Sequence, residues 1–257
     1  MKKVINYENI RYFAYSNDKI CVKPIKGIVF YFFGCGNQPD FKEDDMSSSP
    51  NSCPDGRELA EEGILLLIPY YNPWSWMNKR ALDFTGEILS VLKNKYSLPD
   101  DIPLVSSGLS MGGLAALVYA KETKPAPAAC VLDCPVCDLA DFLAYRPYDA
   151  FRTVYSAFYS AGEPGTLEDA YKKNSPLHCI DALPKIEYFI FQCEEDKHLR
   201  KETQSGVFVR EMLRRGHTIT YHTIPGRAHC DLPEDSGNLF REYIKSAILN
   251  RNSIFKS

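Results

Sequence analysis

Two unbroken runs of large apolar residues stand out along the chain, at 28–33 (Ile-Val-Phe-Tyr-Phe-Phe) and 64–68 (Ile-Leu-Leu-Leu-Ile). Such runs are far short of the roughly 20 residues that span a bilayer. They lack the polar alternation of a half-exposed strand, so they read as strands buried on both faces. The first ends in Gly34-Cys35-Gly36, a tight loop, and residues 37–52, with Pro39, Pro50, three consecutive serines and a cluster of acids, read as surface loop. Asp55 is placed to cap a short helix over 56–62 that Gly63 closes. There is room for one or two strands before Lys26.

From Asn78 the apolar positions Leu82, Ile88, Leu89 and Leu92 follow helical spacing to about Tyr96, ahead of Pro99. A strand at 103–107, a helix at 111–124 and a strand at 128–132 come next. Strand and helix alternating at this spacing call for an α/β fold, a mostly parallel sheet with helices on both faces. The alternation breaks between Cys134 and Lys185, where the chain is rich in aromatics from Phe142 to Tyr171. That stretch reads as an inserted helical cap, at about 134–185, in a single domain over 1–257; its rings are cap core before they are a substrate box. A strand at 186–192, a helix at 201–215 and an outer strand at 218–224 then resume the pattern. A last helix begins at Asn238, with Phe240, Ile244 and Ile248 on one face.

The 257 residues are 45% hydrophobic and 25% charged, which excludes collagen-like and largely disordered classes. Thirty basic against thirty-three acidic residues give a net charge of −3 without a block of like charge, so nucleic acid and anionic membranes have no electrostatic footprint to bind. The first residues, Met-Lys-Lys-Val-Ile-Asn-Tyr-Glu, lack the apolar run of a secretory signal. Nine cysteines, an odd number in a chain long enough to bury a core without staples, fit reduced thiols in the cytoplasm.

Chemistry enters at Gly108-Leu109-Ser110-Met111-Gly112-Gly113, between an expected strand and an expected helix. A Gly-x-Ser-x-Gly turn in that context forms a nucleophile elbow, with small residues on either side of a strained serine. A serine hydroxyl is a weak nucleophile, so a histidine base and an orienting acid must follow in the chain order Ser, Asp, His. Asp196 lies in Cys193-Glu194-Glu195-Asp196 after the strand at 186–192, and His229 lies after the last strand. Among the other histidines, His222 falls within a strand, His217 in the turn before it, and His178 in the cap stretch. His198 competes with His229, although it is only two residues from Asp196.

These residues make the chain resemble the α/β-hydrolases over nearly its whole length. The resemblance implies a Gly-x-x-Asp turn for the acid, matched here with Cys193 in place of Gly; Glu194, Glu195 and Asp133 remain alternatives. It also implies an oxyanion hole made of the backbone N–H of Met111 and one from the turn after the first buried strand, where Cys35 is expected and Gly36 is the reserve. Phe33 stands where relatives often carry His.

Cys134-Pro135-Val136-Cys137 matches a redox or zinc pattern but has no second closely spaced pair, so it reads as a structural thiol pair. Trp74 and Trp76 follow a buried strand onto the catalytic edge; one of them is a candidate pocket wall, with plain packing the competing explanation. The expectation is a cytoplasmic carboxylesterase acting on a small-molecule ester without a metal or nucleotide cofactor. A prolyl-oligopeptidase-like peptidase is the second reading, ranked lower because nothing in the sequence reads as a propeller domain. A hydrolase-fold binding protein without catalysis is the third.

Overall fold

The structure, a computed structural model, describes residues 4–34, 51–145, 147–162 and 165–250. A short strand, β1 (Ala14–Ser16), precedes the two apolar runs, which form β2 (Gly27–Phe32) and β3 (Ile64–Pro69) with every residue buried. The later strands are β4 (Leu104–Leu109), β5 (Ala129–Asp133), β6 (Glu187–Cys193) and β7 (Thr218–Ile224). Among the described residues they make one sheet in the order β1-β3-β2-β4-β5-β6-β7. Only β1 runs antiparallel, against β3; every other pairing is parallel.

That order places a topological switch between β2 and β4. The chain steps from β2 outward to β3, then crosses back to β4 on the other side and continues to β7. Crossovers leave in opposite directions at such a point, and a crevice opens beyond the carboxyl ends of the strands.

Successive residues of a buried strand face opposite ways, and the core divides accordingly. Val29 and Tyr31 of β2 lie on the face covered by α1 (Gly56–Glu61) and α8 (Glu234–Leu249), while Ile28, Phe30 and Phe32 lie on the face covered by α2 (Lys79–Tyr96), α3 (Met111–Glu122) and α7 (Ser205–Arg214). Asp55 caps α1 by accepting the N–H groups of Arg57 and Glu58. α8 begins at Glu234, four residues before the sequence suggests, with Glu234 and Asp235 in its first turn, where the helix dipole favours negative charge.

Between β5 and β6 lie α4 (Leu139–Tyr145), α5 (Pro147–Ser160) and α6 (Leu167–Asn174). Their buried residues Leu139, Phe142, Val154 and Phe158 join the same core as α3, whose residues from Met111 to Ala120 are all buried. Phe142 and Phe158 are core, whereas Tyr155 and Tyr159 are exposed and stack on each other; the side chains of Tyr145, Tyr148 and Phe151 lie outside the described residues. Asn78 holds this segment down with both ends of its amide: Oδ1 accepts from Ala81 N–H to cap α2, and Nδ2 donates to Ala157 O at 2.7 Å. Gln204 does the same from the other side, its Oε1 accepting from Cys137 and Asp138 N–H at 2.8 and 2.9 Å. With Gln204 committed there, α7 starts at Ser205 rather than near Lys201.

The β4–α3 turn is the tightest place in the sheet. A Cβ on Gly112 would lie 1.9 Å from Phe32 O, and one on Gly108 would lie 2.4 Å from Gly112 O, both backbone atoms that cannot step aside. Gly112→Ala is therefore expected to cost about 3 kcal/mol or more through overpacking, a drop of roughly 6–12 °C in the midpoint of a thermal melt. A melt unchanged from wild type would contradict this packing.

Candidate active site

Ser110 follows directly on β4 and precedes α3 with φ 54° and ψ −121°, a conformation that a residue with a side chain adopts only under constraint. Its N–H donates to Asp133 O at 2.9 Å, and its carbonyl accepts from Gly113, Leu114 and Val136 N–H. Met111, the next residue, opens α3, so its N–H belongs to the unsatisfied first turn and the positive end of the helix. Gly34 presses on the same turn: a Cβ there would lie 2.9 Å from Ser110 Cβ. Cys35 and Gly36 lie outside the described residues.

The structure brings Ser110, His229 and Asp196 into one hydrogen-bonded line. His229 Nε2 is 2.9 Å from Ser110 Oγ, and His229 Nδ1 is 2.6 Å from Asp196 Oδ2. Asp196 is buried and held on all sides: Oδ1 accepts from His198 and Leu199 N–H at 2.8 Å each, and Oδ2 also meets Gln192 Nε2 at 3.3 Å. Burial alone would raise its carboxyl pKa, but the hydrogen bond and charge of His229 and these two N–H groups outweigh it and hold the group below the ordinary carboxylate range. An ionised Asp196 next to Nδ1 assigns the N–H to Nδ1 and leaves Nε2 as an acceptor facing the serine hydroxyl.

The competing residues are placed elsewhere. Glu194 and Glu195 are exposed, Glu194 pairing with Lys201. His198 is exposed at the rim, its ring 5.5 Å from that of His229. His222 bonds Tyr243, His217 packs on Tyr188, and His178 lies 3.7 Å from Asp138. Asp133 is fully buried below the site with neither carboxylate oxygen hydrogen-bonded; burial pushes its pKa up to about 6, although Ser52 and Cys134 lie near enough to soften that rise.

Trp76 is buried, its Nε1 donating to Thr153 Oγ1 at 3.2 Å and its ring edge-on to Phe142, so it pins the inserted helices rather than facing a cleft. Trp74 is half-buried, edge-on to Trp76. Cys137 turns into the α3 side of the core while Cys134 faces the other, so the two thiols of the Cys-x-x-Cys run are not a pair. Cys134 instead hydrogen-bonds with Cys193 and Cys230, and none of the eight described cysteines is in a disulfide. Burial drives the Cys134 thiol well above its usual range and Cys230 up to about 12, so neither is a thiolate competing with Ser110.

Gln192 is a positioning residue the sequence does not single out. Fully buried, it donates to Asp196 and to Leu199 O and accepts from Ser205 Oγ at 2.7 Å, which joins the acid to the start of α7. A glutamine one residue before the end of a buried strand was the available signal.

No protein-family model matches the sequence, and no curated protein does. Solved structures do. The chain is similar to an acylaminoacyl peptidase from Pyrococcus horikoshii at 12% identity and a TM-score of 0.63, over 90% of this chain but 38% of the peptidase. It is similar to esterase B from a Lactobacillus at 16% identity and a TM-score of 0.60, over 90% of this chain and 78% of the esterase. An S-formylglutathione hydrolase from Agrobacterium tumefaciens gives 13% identity and a TM-score of 0.59, over 86% and 83%. Among the described residues, no helix is long and apolar enough to cross a membrane. Sheet order, the strand–Ser110–helix turn beside the switch point and these neighbours together establish that the chain has the α/β-hydrolase fold.

Proposed function

We propose that the protein is a serine hydrolase that cleaves a carboxylic ester through an acyl-enzyme on Ser110. The observation that carries this reading is the unbroken line from Ser110 Oγ through both nitrogens of His229 to Asp196, at 2.9 and 2.6 Å. Ser110 Oγ attacks the ester carbonyl carbon as His229 Nε2 takes its proton. Asp196 keeps the Nδ1–H in place and stabilises the imidazolium that forms. The tetrahedral oxygen is held by Met111 N–H and by a second donor from the loop after β2, for which Cys35 is proposed; the contact of Gly34 with Ser110 supports that choice. His229 returns the proton to the departing alcohol, and water then attacks the acyl-enzyme by the same route. The reading needs neither metal nor nucleotide and places a small-molecule ester in the cleft, with Trp74 as a candidate wall and the cytoplasm as the working compartment.

The likeness to an esterase and to an S-formylglutathione hydrolase supports an ester as the substrate. Peptide cleavage by the same residues is the second reading, and a binding protein of this fold without catalysis is the third.

Wild-type protein is expected to react stoichiometrically with a fluorophosphonate probe, and Ser110→Ala not at all; an inert wild type would favour the binding protein. Asp196→Asn should fold but lose about 1,000- to 10,000-fold in kcat, because the amide no longer fixes the tautomer. Retention of more than a tenth of the activity would remove Asp196 from its assigned role. Short p-nitrophenyl esters should turn over faster than prolyl or alanyl anilides at equal concentration, and the reverse order would make peptidase the better reading.

A further inference from the structure

Three thiols lie beside the base, and the proposed reaction uses none of them. Cys134 follows β5, Cys193 ends β6 and Cys230 follows His229, so three separate crossovers deliver them to one place. Among the described residues, the ligand atoms of Cys134, His229 and Cys230 lie within 4.8 Å of one another, as do those of Asp133, Cys134 and Cys193. Cys230 Sγ is 3.5 Å from His229 Nε2. Zinc bonds sulfur at about 2.3 Å and imidazole nitrogen at about 2.0–2.1 Å, which at a tetrahedral angle separates the two ligand atoms by about 3.6 Å. That pair therefore already has the spacing of two ligands on one ion.

A second observation concerns the carboxylate beside the thiols. Asp133 is 0% exposed, and neither of its carboxylate oxygens has a hydrogen-bond partner. A buried carboxylate without a donor is costly unless a positive charge compensates it. The cluster thus sets soft sulfur and imidazole donors beside an uncompensated acid.

We propose that this cluster is a binding site for a soft divalent cation of the zinc class, held by the thiolates of Cys134 and Cys230 and by Nε2 of His229, with Cys193 and Asp133 on its buried side. Binding releases the two thiol protons to solvent, and the neutral imidazole gives its Nε2 lone pair to the ion. That same lone pair accepts the Ser110 proton, so an occupied site silences the nucleophile. The His229 side chain is 21% exposed, which gives the ion a way in from the cleft. Sulfur and imidazole ligands select zinc or cadmium over magnesium or calcium. The inhibitory consequence rests on the proposed hydrolase reading; the binding does not.

The test uses the full chain, stripped with a chelator and kept reduced, and titrated with Cd2+ while the thiolate-to-cadmium charge-transfer absorption is followed. One Cd2+ per chain is expected, with affinity lowered about 100-fold or more in Cys134→Ser and in Cys230→Ala, and unchanged in Cys179→Ser, which removes a thiol remote from the site. Ser110→Ala, which cannot react with a fluorophosphonate, should bind Cd2+ as wild type does, so binding is judged apart from catalysis. Equimolar Zn2+ should block fluorophosphonate labelling of wild type, reversibly by chelator, whereas the labelling rate of Cys230→Ala should be the same with and without Zn2+. Should buried Cys134→Ser not fold, the half-buried Cys230→Ala decides. Absence of the band, its persistence in Cys230→Ala, or its loss in Cys179→Ser overturns the site. A normal band with labelling indifferent to Zn2+ overturns the assignment of Nε2 as a ligand.

Discussion

The site depends on one constraint, the forced backbone of Ser110 at φ 54°. Nothing local favours that conformation; the surrounding sheet imposes it. β2 lends the Phe32 carbonyl that leaves room only for Gly112, and β5 lends the Asp133 carbonyl that accepts the Ser110 N–H. Because both neighbours are central strands buried on two faces, the hydroxyl is carried by the most rigid part of the molecule. The strain, of order 1–3 kcal/mol, is small beside what the sheet's burial supplies.

His229 and Asp196, the proposed base and acid, are held differently. Both stand on loops beyond β6 and β7, and their positions come from hydrogen bonds rather than packing. Asp196 accepts two backbone N–H groups on one oxygen and the imidazole on the other, while Gln192 ties it to α7 through Ser205. Burial would neutralise a free carboxyl; here the donors win, and the group stays charged. Asp133, one strand over and more deeply buried, has only Ser52 and Cys134 nearby to offset burial, and it shifts the opposite way. Two neighbouring carboxylates are thus set apart by their hydrogen bonds, by the charge of His229 and by depth of burial.

Much of this was legible in the chain itself. The apolar runs of β2 and β3 admit one reading, and Asp55 and Asn78 mark helix starts because a cap depends on neighbours within three residues. The Gly-x-Ser-x-Gly turn, set between strand and helix, pointed to Ser110, and the chain order Ser, Asp, His pointed to Asp196 and His229. What stayed hidden depends on contacts between distant residues. Gln204 delays the start of α7 because it serves backbone groups 66 and 67 positions away. Trp76 belongs to the inserted helices through Thr153, 77 positions on, which no local pattern records. Cys134 looked like half of a local pair, yet its partners are Cys193 and Cys230, because a residue ending one strand meets residues ending the next ones. Choosing Asp196 over Asp133 likewise required the 2.6 Å contact with His229.

The most direct test of the account is to catch the acyl group itself. Protein mixed briefly with an activated ester, quenched in acid and digested, should yield one acylated peptide, the one carrying Ser110, and the adduct should disappear once the ester is exhausted. Ester hydrolysis with no acyl group on Ser110, or with the acyl group on a cysteine, would contradict it.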